Sequence, residues 1–506
     1  MTQLGVVQPQ DEWNQRLVAS VHPRDWVNPR PASRYDMVVL GAGTAGLVTA
    51  VVSAGLGARV ALVERHLMGG DCLNVGCVPS KTLIRSARAV ADVRDATRFG
   101  VDVPAGVGVD FAKVMERVRR VRAEISPHDS AARYAELGVD VFLGEGRFTG
   151  PQALEVAGAE LRFKRACIAT GARAVALPIP GLAEAGYLTN ETIFELTALP
   201  PRLAVIGAGP IGCELAQAFA RLGARVSLIE VAPQVLIRED PDAAAIVSEA
   251  LVRDGIELVL GANVSRIERR GAAKVLHLGV AGTERELEVD EILVGIGRAP
   301  NVVGIGLEAA GVAFDPKVGV TVDTQLRTAN RRIFAAGDVC MATKFTHAAD
   351  AAAKLVVRNA FFFGRGRVAD LRVPWCTYTD PEIAHVGMYA RDAEAARVAL
   401  DTYTTPLAGN DRSRAEGEQG GFVKIHVKKG GDRVVGATIV ARHAGELIAP
   451  LAVAMSAGYS LGRFVDLILP YPTQTEAIKA AAGAYTRTRL TPAAARVLRT
   501  LIRLAR

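Results

Sequence analysis

The chain has 506 residues, too many for one hydrophobic core, so two to four domains are expected. Half the residues are apolar, 50 are glycine, and the net charge of +7 comes from basic residues scattered among acidic ones. This composition suits an α/β protein rich in tight turns and argues against a nucleic-acid-binding surface.

No apolar run approaches the roughly 18 residues of a membrane span. Residues 1–33 lack the basic start and apolar stretch of a secretory signal, and six cysteines are too few for a disulfide scaffold. A cytoplasmic protein is expected, where a cysteine pair is more often catalytic than structural.

Residues 1–33 are polar, contain Trp13 and Trp26, and read as an arm lying over a domain. Tyr35 to Leu40 is a short apolar strand running into Gly41-Ala42-Gly43-Thr44-Ala45-Gly46 and a helix through Ala54. A second strand, Arg59 to Val63, ends at Glu64. Strand, GxGxxG, helix, strand and an acid about twenty residues on form a dinucleotide fingerprint. Its glycines admit a pyrophosphate, the helix N-terminus offers free N–H groups, and the acid accepts from a ribose hydroxyl.

Next comes Gly69-Gly70-Asp71-Cys72-Leu73-Asn74-Val75-Gly76-Cys77-Val78-Pro79-Ser80-Lys81. Five helical residues span about 7.5 Å, beyond the roughly 7 Å between Cα atoms that a disulfide tolerates. If Cys72 and Cys77 pair, the backbone must leave ideal helix between them, which Gly76 makes easy. Pro79 suits the first turn of a following helix, whose N-terminus would favour thiolate at Cys77. Two readings stand at this point: a redox-active dithiol, or two buried cysteines in a glycine-rich loop.

A helical stretch from Phe111 to Leu137 follows, its Arg117, Arg119, Arg120 and Arg122 reading as a solvated face; short strands then close at Ile168-Ala169-Thr170-Gly171. Pro178 to Pro180 reads as a crossing linker. The fingerprint then repeats: Leu203 to Ile206, Gly207-Ala208-Gly209-Pro210-Ile211-Gly212, a helix through Leu222, and Arg225 to Ile229 ending at Glu230. Two fingerprints imply two dinucleotides, and an enzyme holding both usually passes electrons between a flavin and a nicotinamide. Glu230, followed by neutral Val231-Ala232, favours NADH, because its carboxylate repels a 2′-phosphate.

Val294 to Arg298, with Gly297, is a further strand ending in glycines. Ile333 to Asp338 is a strand with Gly337 and Asp338 at its tip, and an alanine-rich helix spans about Thr346 to Phe363, opened by His347. From Val373 on, alternating strands such as Phe422–Val427 and Val434–Val440, then helices from Glu446 and Thr473, indicate an α+β domain. From Tyr485 the chain holds six arginines and no acid. This tail reads either as a helix packed on its own domain or a partner subunit, or as a peripheral contact with an anionic membrane surface.

Taken together, residues 34 to 484 resemble the FAD-dependent pyridine nucleotide–disulfide oxidoreductases of the glutathione reductase and dihydrolipoamide dehydrogenase type. GGDCLNVGCVPSK is the most specific motif, and Leu469-Pro470-Tyr471-Pro472-Thr473 is similar to mercuric reductases. The resemblance implies an α/β fold: two Rossmann-like domains and a C-terminal α+β dimerisation domain. Expected boundaries are 34–171 with 295–366 for FAD, 172–294 for NAD(P), 367–484 for dimerisation, and 485–506 for the tail. Gly41, Gly43, Gly46 and Glu64 would hold FAD, with Asp338 at its ribityl chain and Lys81, paired with Glu214, beside its ring. Gly207, Gly209, Gly212 and Glu230 would hold the nicotinamide dinucleotide. Gly70, Thr170, Gly171, Gly297, Gly337 and His347 complete the implied cofactor-binding set. Cys77 would face the flavin and Cys72 the substrate, in a homodimer with shared active sites.

Two departures bear on the acceptor. Disulfide reductases of this type carry a histidine–glutamate pair as acid–base; here Tyr471 stands for the histidine while Glu476 keeps the glutamate. With an ordinary pKa near 10, tyrosine is a poor proton shuttle, which matches a soft cation such as Hg(II) held by Cys72 and Cys77. Mercuric reductases, however, end in a vicinal cysteine pair, and this chain has no cysteine after Cys376. Cys167, Cys213, Cys340 and Cys376 read as structural, as does Asp380-Pro381-Glu382.

The expectation is therefore an NADH-oxidising reductase of a soft metal ion or disulfide. The alternatives are a diaphorase-type NADH:quinone reductase and a non-enzymatic FAD-binding redox module at a membrane.

Overall fold

The computed structural model describes residues 7–175, 178–362 and 364–506. They form two compact units: Met1–Pro233 with Gly255–Leu371, and Gln234–Asp254 with Arg372–Arg506.

The first unit holds one parallel sheet and one mixed sheet whose parallel part is extended antiparallel by Ala153–Val156 and Gly146–Gly150. In the mixed sheet, strands Val139–Leu143, Val60–Glu64, Tyr35–Leu40 and Ala159–Ile168 run side by side, and Ile333–Ala335 joins parallel to the last of these. Val38, Val39, Ala61 and Leu62 are fully buried, as expected of parallel strands covered on both faces. Leu40 pairs with Ile168, and Ile168 with Ala335. This register brings three strand ends to one edge, where Gly41, Ala169 and Ala336 begin their loops; ligands of open α/β sheets bind at such an edge. The parallel sheet orders Glu257–Leu260, Arg225–Glu230, Arg202–Ile206 and Glu291–Val294. An antiparallel sheet of Ala262–Arg270, Ala273–Val280 and Thr283–Val289 accompanies it. The expected α/β fold with two Rossmann-like dinucleotide folds is what the chain adopts.

The N-terminal arm forms a helix, Glu12–Val21, whose cap Asp11 accepts from Asn14 N at 2.9 Å. The stretch expected as one helix is broken into Phe111–Ile125, a 3₁₀ turn Ser126–Asp129 containing Pro127, and Ala131–Glu136. Its arginines are not a solvated face. Arg119 and Arg122 are buried, Arg119 paired with Asp11 of the arm, and Arg117 donates to Thr82 O at 2.9 Å. Only Arg120, beside Glu124, matches the expectation.

The second unit is built on a five-stranded antiparallel sheet in the order Trp375–Thr377, Glu382–Gly387, Val434–Ala441, Phe422–Lys428, Leu400–Pro406. Helices Ala449–Ala457 and Glu476–Arg489 complete its core with Leu451, Ile478 and Tyr485. Gln234–Asp254, inside the 172–294 range expected for the nicotinamide domain, belongs here. Glu239 accepts from Trp375 Nε1 at 3.0 Å and from the Tyr389 hydroxyl, and Lys424 Nζ lies 3.0 Å from Asp240.

Candidate active site

At both fingerprints the same backbone geometry recurs. A Cβ on Gly46 would lie 1.8 Å from Gly41 O, and one on Gly212 would lie 1.9 Å from Gly207 O, so only glycine lets each helix meet its strand so closely. Ala42 N donates to Glu64 at 2.7 Å and Ala208 N to Glu230 at 2.7 Å, while His66 N and Ala232 N satisfy the second carboxylate oxygens. Both helices, Thr44–Gly55 and Pro210–Arg221, start on a glycine without a side-chain cap. Their first-turn N–H groups are left for a ligand. A Cβ on Gly209 would meet nothing within 4 Å, and one on Gly43 only Gly70 Cα, at 3.7 Å. Each cradle therefore has the room and the donors that a pyrophosphate requires, and the residues present fit a dinucleotide such as FAD or NAD(P) at each.

The cysteine loop sits against the first cradle. Gly70 (φ +55°) approaches so closely that a Cβ would fall 2.7 Å from Gly43 Cα. Cys72 lies in a short helix, Gly70–Asn74, and Cys77 opens the next, Cys77–Asp95, with Pro79 in its first turn. The chain breaks helix at Val75 and Gly76, where a Cβ would come within 2.7 Å of Asp71 O. Both cysteines are free thiols here. Hydrogen bonding from Cys72 is the largest influence lowering the Cys77 pKa, aided by Thr346 and the Lys81 charge. The Cys72 pKa is raised by that same bond and by burial. The pair is thus polarised, thiolate at Cys77 and thiol at Cys72, and the helix N-terminus reinforces that sense.

Lys81, one turn into the same helix, places Nζ 2.8 Å from Glu214 Oε2; the glutamate is buried in helix Pro210–Arg221. Thr170 Oγ1 donates to Asn301 O at 2.7 Å, setting the loop whose Ala169 faces Gly41 and which continues to Gly171 (φ +68°). Gly337 (φ +80°) packs against Ala45, and Asp338 follows at the same edge, its pKa raised by burial. His347 is exposed and stacks on Phe345 with ring centroids 5.5 Å apart.

Three contributors were not singled out from sequence. Thr346 Oγ1 lies 3.2 Å from Cys77 Sγ, whereas the sequence at that helix start points to its neighbour His347. Arg298, next to Gly297, is half-buried between two acids, pairing with Asp71 and standing 3.5 Å from Asp338 Oδ2. It thereby ties the residue before Cys72 to Asp338. Arg122 donates to Asn74 O at 2.7 Å and to Asn14 Oδ1 of the arm, so the N-terminal helix is latched to the cysteine loop.

In the second unit, exposed Tyr471 donates its hydroxyl to Asp411 Oδ2 at 3.0 Å, and this bond raises its pKa. Glu476 begins helix Glu476–Arg489 and accepts from Thr473 N at 3.3 Å. Cys167 and Cys213 are fully buried, and burial pushes the Cys167 thiol up to about 12. Among the described residues one trio, Glu268, His277 and Glu286, brings metal-type ligand atoms within 4.8 Å of one another. Arg270 already bridges both glutamates, at 2.7 and 3.0 Å, which makes this an ion-pair network.

Residues 35–353 match the pyridine nucleotide-disulphide oxidoreductase family, and residues 373–482 its dimerisation domain. A mercuric reductase of Bacillus cereus is 34% identical over 88% of this chain and 71% of its own length. A dihydrolipoyl dehydrogenase of Thermus scotoductus is 32% identical over 89% and 97%. Among solved structures, LpdA of Mycobacterium tuberculosis superposes with a TM-score of 0.82 at 29% identity, covering 90% of this chain and all of that one. The HOCl-induced flavoprotein disulfide reductase RclA of Escherichia coli gives 0.79 at 29%, covering 89% and 99%. With fingerprints, cysteine loop and dimerisation domain all matched in order, the chain belongs to the pyridine nucleotide-disulphide oxidoreductases, flavoproteins that carry FAD.

Proposed function

We infer that this protein is an NADH-dependent reductase whose Cys72–Cys77 pair delivers electrons to a soft metal ion, with Hg(II) the leading acceptor. The observation that carries the reading is the geometry of the cysteine loop: Cys77 opens a helix with Thr346 Oγ1 3.2 Å from its Sγ, and one turn on Lys81 Nζ lies 2.8 Å from buried Glu214. Bound FAD supplies the two-electron relay between nicotinamide and cysteine pair. The Gly41–Gly46 loop and the free N–H groups of helix Thr44–Gly55 would hold its pyrophosphate. Glu230, both oxygens already accepting backbone N–H groups, would take a ribose hydroxyl and repel a 2′-phosphate, hence NADH. Lys81 and the helix N-terminus keep Cys77 ionised, and Cys72 carries the proton until it meets the acceptor.

Proton balance decides between acceptors. Reducing Hg(II) to Hg(0) with NADH yields NAD⁺ and one proton. Reducing a disulfide to two thiols consumes one proton, which must reach a thiolate leaving group. Tyr471, its pKa raised further by Asp411, is poorly suited to relay that proton at neutral pH, which favours the cation. By the dimerisation domain, a homodimer is the working unit, with Tyr471 and Glu476 serving the partner's cysteines. Among the described residues no helix is long and apolar enough to cross a membrane.

A panel of Hg(II), small disulfides and quinones, assayed with NADH, tests the reading. Hg(II) turnover that disappears in Cys72→Ser and Cys77→Ser supports it. Quinone turnover surviving both substitutions would instead identify a diaphorase, and no turnover with any acceptor a non-enzymatic module. A several-fold faster reduction by NADPH than by NADH would refute the assignment at Glu230.

A further inference from the structure

Beyond residue 482, where the family's dimerisation domain ends, the chain continues into a helix, Pro492–Leu504. Its start is well made: Thr491 Oγ1 accepts from Ala494 N at 3.2 Å, and Pro492 occupies the first turn. The preceding helix, Glu476–Arg489, buries Ala477, Ile478, Ala481, Ala482 and Tyr485, whereas this one buries nothing.

The helix is nevertheless strongly two-faced. At 100° per residue, Val497, Leu498, Leu501 and Leu504 gather on one side and Arg496, Arg499 and Arg503 on the other, with Arg506 just beyond. The apolar side chains stand open, from 48% exposed at Leu498 to 79% at Leu504. A contiguous exposed apolar stripe marks a surface that something covers. From Tyr485 onward six arginines meet no acid, so the cover must supply negative charge alongside an apolar phase. A second copy of the same tail would bring like charges together. An anionic bilayer supplies both, acyl chains for the leucines and phosphates for the guanidinium groups. At about 20 Å long the helix is too short to span and would lie in the interface.

We propose that the C-terminal helix is an interfacial anchor that binds the surface of an anionic phospholipid bilayer. This goes beyond the reductase reading and does not depend on which acceptor is used.

The test is co-sedimentation of the full-length holoenzyme with vesicles of phosphatidylglycerol and phosphatidylcholine, against vesicles of phosphatidylcholine alone. Binding should require phosphatidylglycerol and weaken as salt is raised. A basic residue near such a surface is worth about fivefold, so Arg496→Gln with Arg499→Gln should lower affinity about 25-fold. Leu498→Ser with Leu501→Ser, which keeps every arginine, should lower it about a hundredfold or more. A chain ending at Arg489 should not bind, while its flavin spectrum and oligomeric mass stay those of the full-length protein. Binding that survives the leucine pair, or that is as strong on phosphatidylcholine alone, overturns the proposal. A fall in oligomeric mass on truncation also overturns it, since the helix would then be covered by a partner subunit.

Discussion

Arg122→Met removes the link between the N-terminal arm and the cysteine loop while keeping most of the side chain's volume. Arg122 is 4% exposed and donates to Asn74 O and to Asn14 Oδ1; Asn14 and Asn74 are themselves buried. Hydrogen bonds to a charged group contribute about 1.5–3 kcal/mol each, so losing two costs about 3–6 kcal/mol before any offset. Burial already holds the guanidinium pKa down to about 10, a sign that the buried charge costs part of what its bonds return. A net loss of about 2–4 kcal/mol is expected. Urea unfolding followed by tryptophan fluorescence reads it well, because two of the three tryptophans, Trp13 and Trp26, lie in the arm. The same variant should speed alkylation of Cys72 in the reduced protein, since Asn74 no longer fixes the loop through its bonds to Met68 O and Gly70 O. Asn14→Ala on top of it should cost only what its separate bond to Pro9 O contributes, as the link to Arg122 is already broken. A loss below about 1 kcal/mol with unchanged alkylation would refute the latch.

Three further outcomes follow from the site. Alkylation of Cys77 in the reduced protein should hold its rate until pH falls through about 6, where the thiolate is protonated. In Cys72→Ala, which deletes the leading cause of that depression, the midpoint should move up toward an ordinary thiol; an unmoved midpoint would contradict the polarised pair. Lys81→Met removes the Nζ held 2.8 Å from buried Glu214 and takes positive charge from near Cys77. It should lower stability by about 1–3 kcal/mol and raise the Cys77 midpoint, both measurable on one preparation. Tyr471→His restores a group titrating near neutrality; turnover of small disulfides should rise at least about tenfold with little change for Hg(II). Equal effects on both acceptors would remove proton relay as the basis of selectivity.

The parts legible in the sequence are those whose geometry is local. A fingerprint places glycines, helix and acid within one strand–helix–strand unit, so Gly41 to Glu64 and Gly207 to Glu230 could be read from spacing. The break at Gly76 was equally visible, because the distance between two cysteines five apart is a local matter. Lys81 and Glu214 lie 133 positions apart, and only the family resemblance joins them in the sequence. Nothing in the run of arginines at 117–122 signals that Arg119 and Arg122 turn inward; periodicity gives a face but not what covers it. Thr346 and Arg298 were hidden for the same reason. Thr346 lies beyond the strand end at Ala335, which register sets beside Leu40 and Ile168, and Arg298 opens a strand paired antiparallel with Ala172–Ala174. Gln234–Asp254 follows a strand of the first unit in sequence, yet it belongs to the second, where Glu239 and Asp240 bond to Trp375 and Lys424.

The most direct test of the central claim is an anaerobic NADH titration of the oxidised holoenzyme, with the peptide containing Cys72 and Cys77 alkylated and weighed at each point. The account predicts that both cysteines become alkylatable with the first equivalent of NADH, together with a long-wavelength absorbance that Cys77→Ser abolishes. Flavin bleaching by NADH while that peptide keeps its disulfide would contradict it.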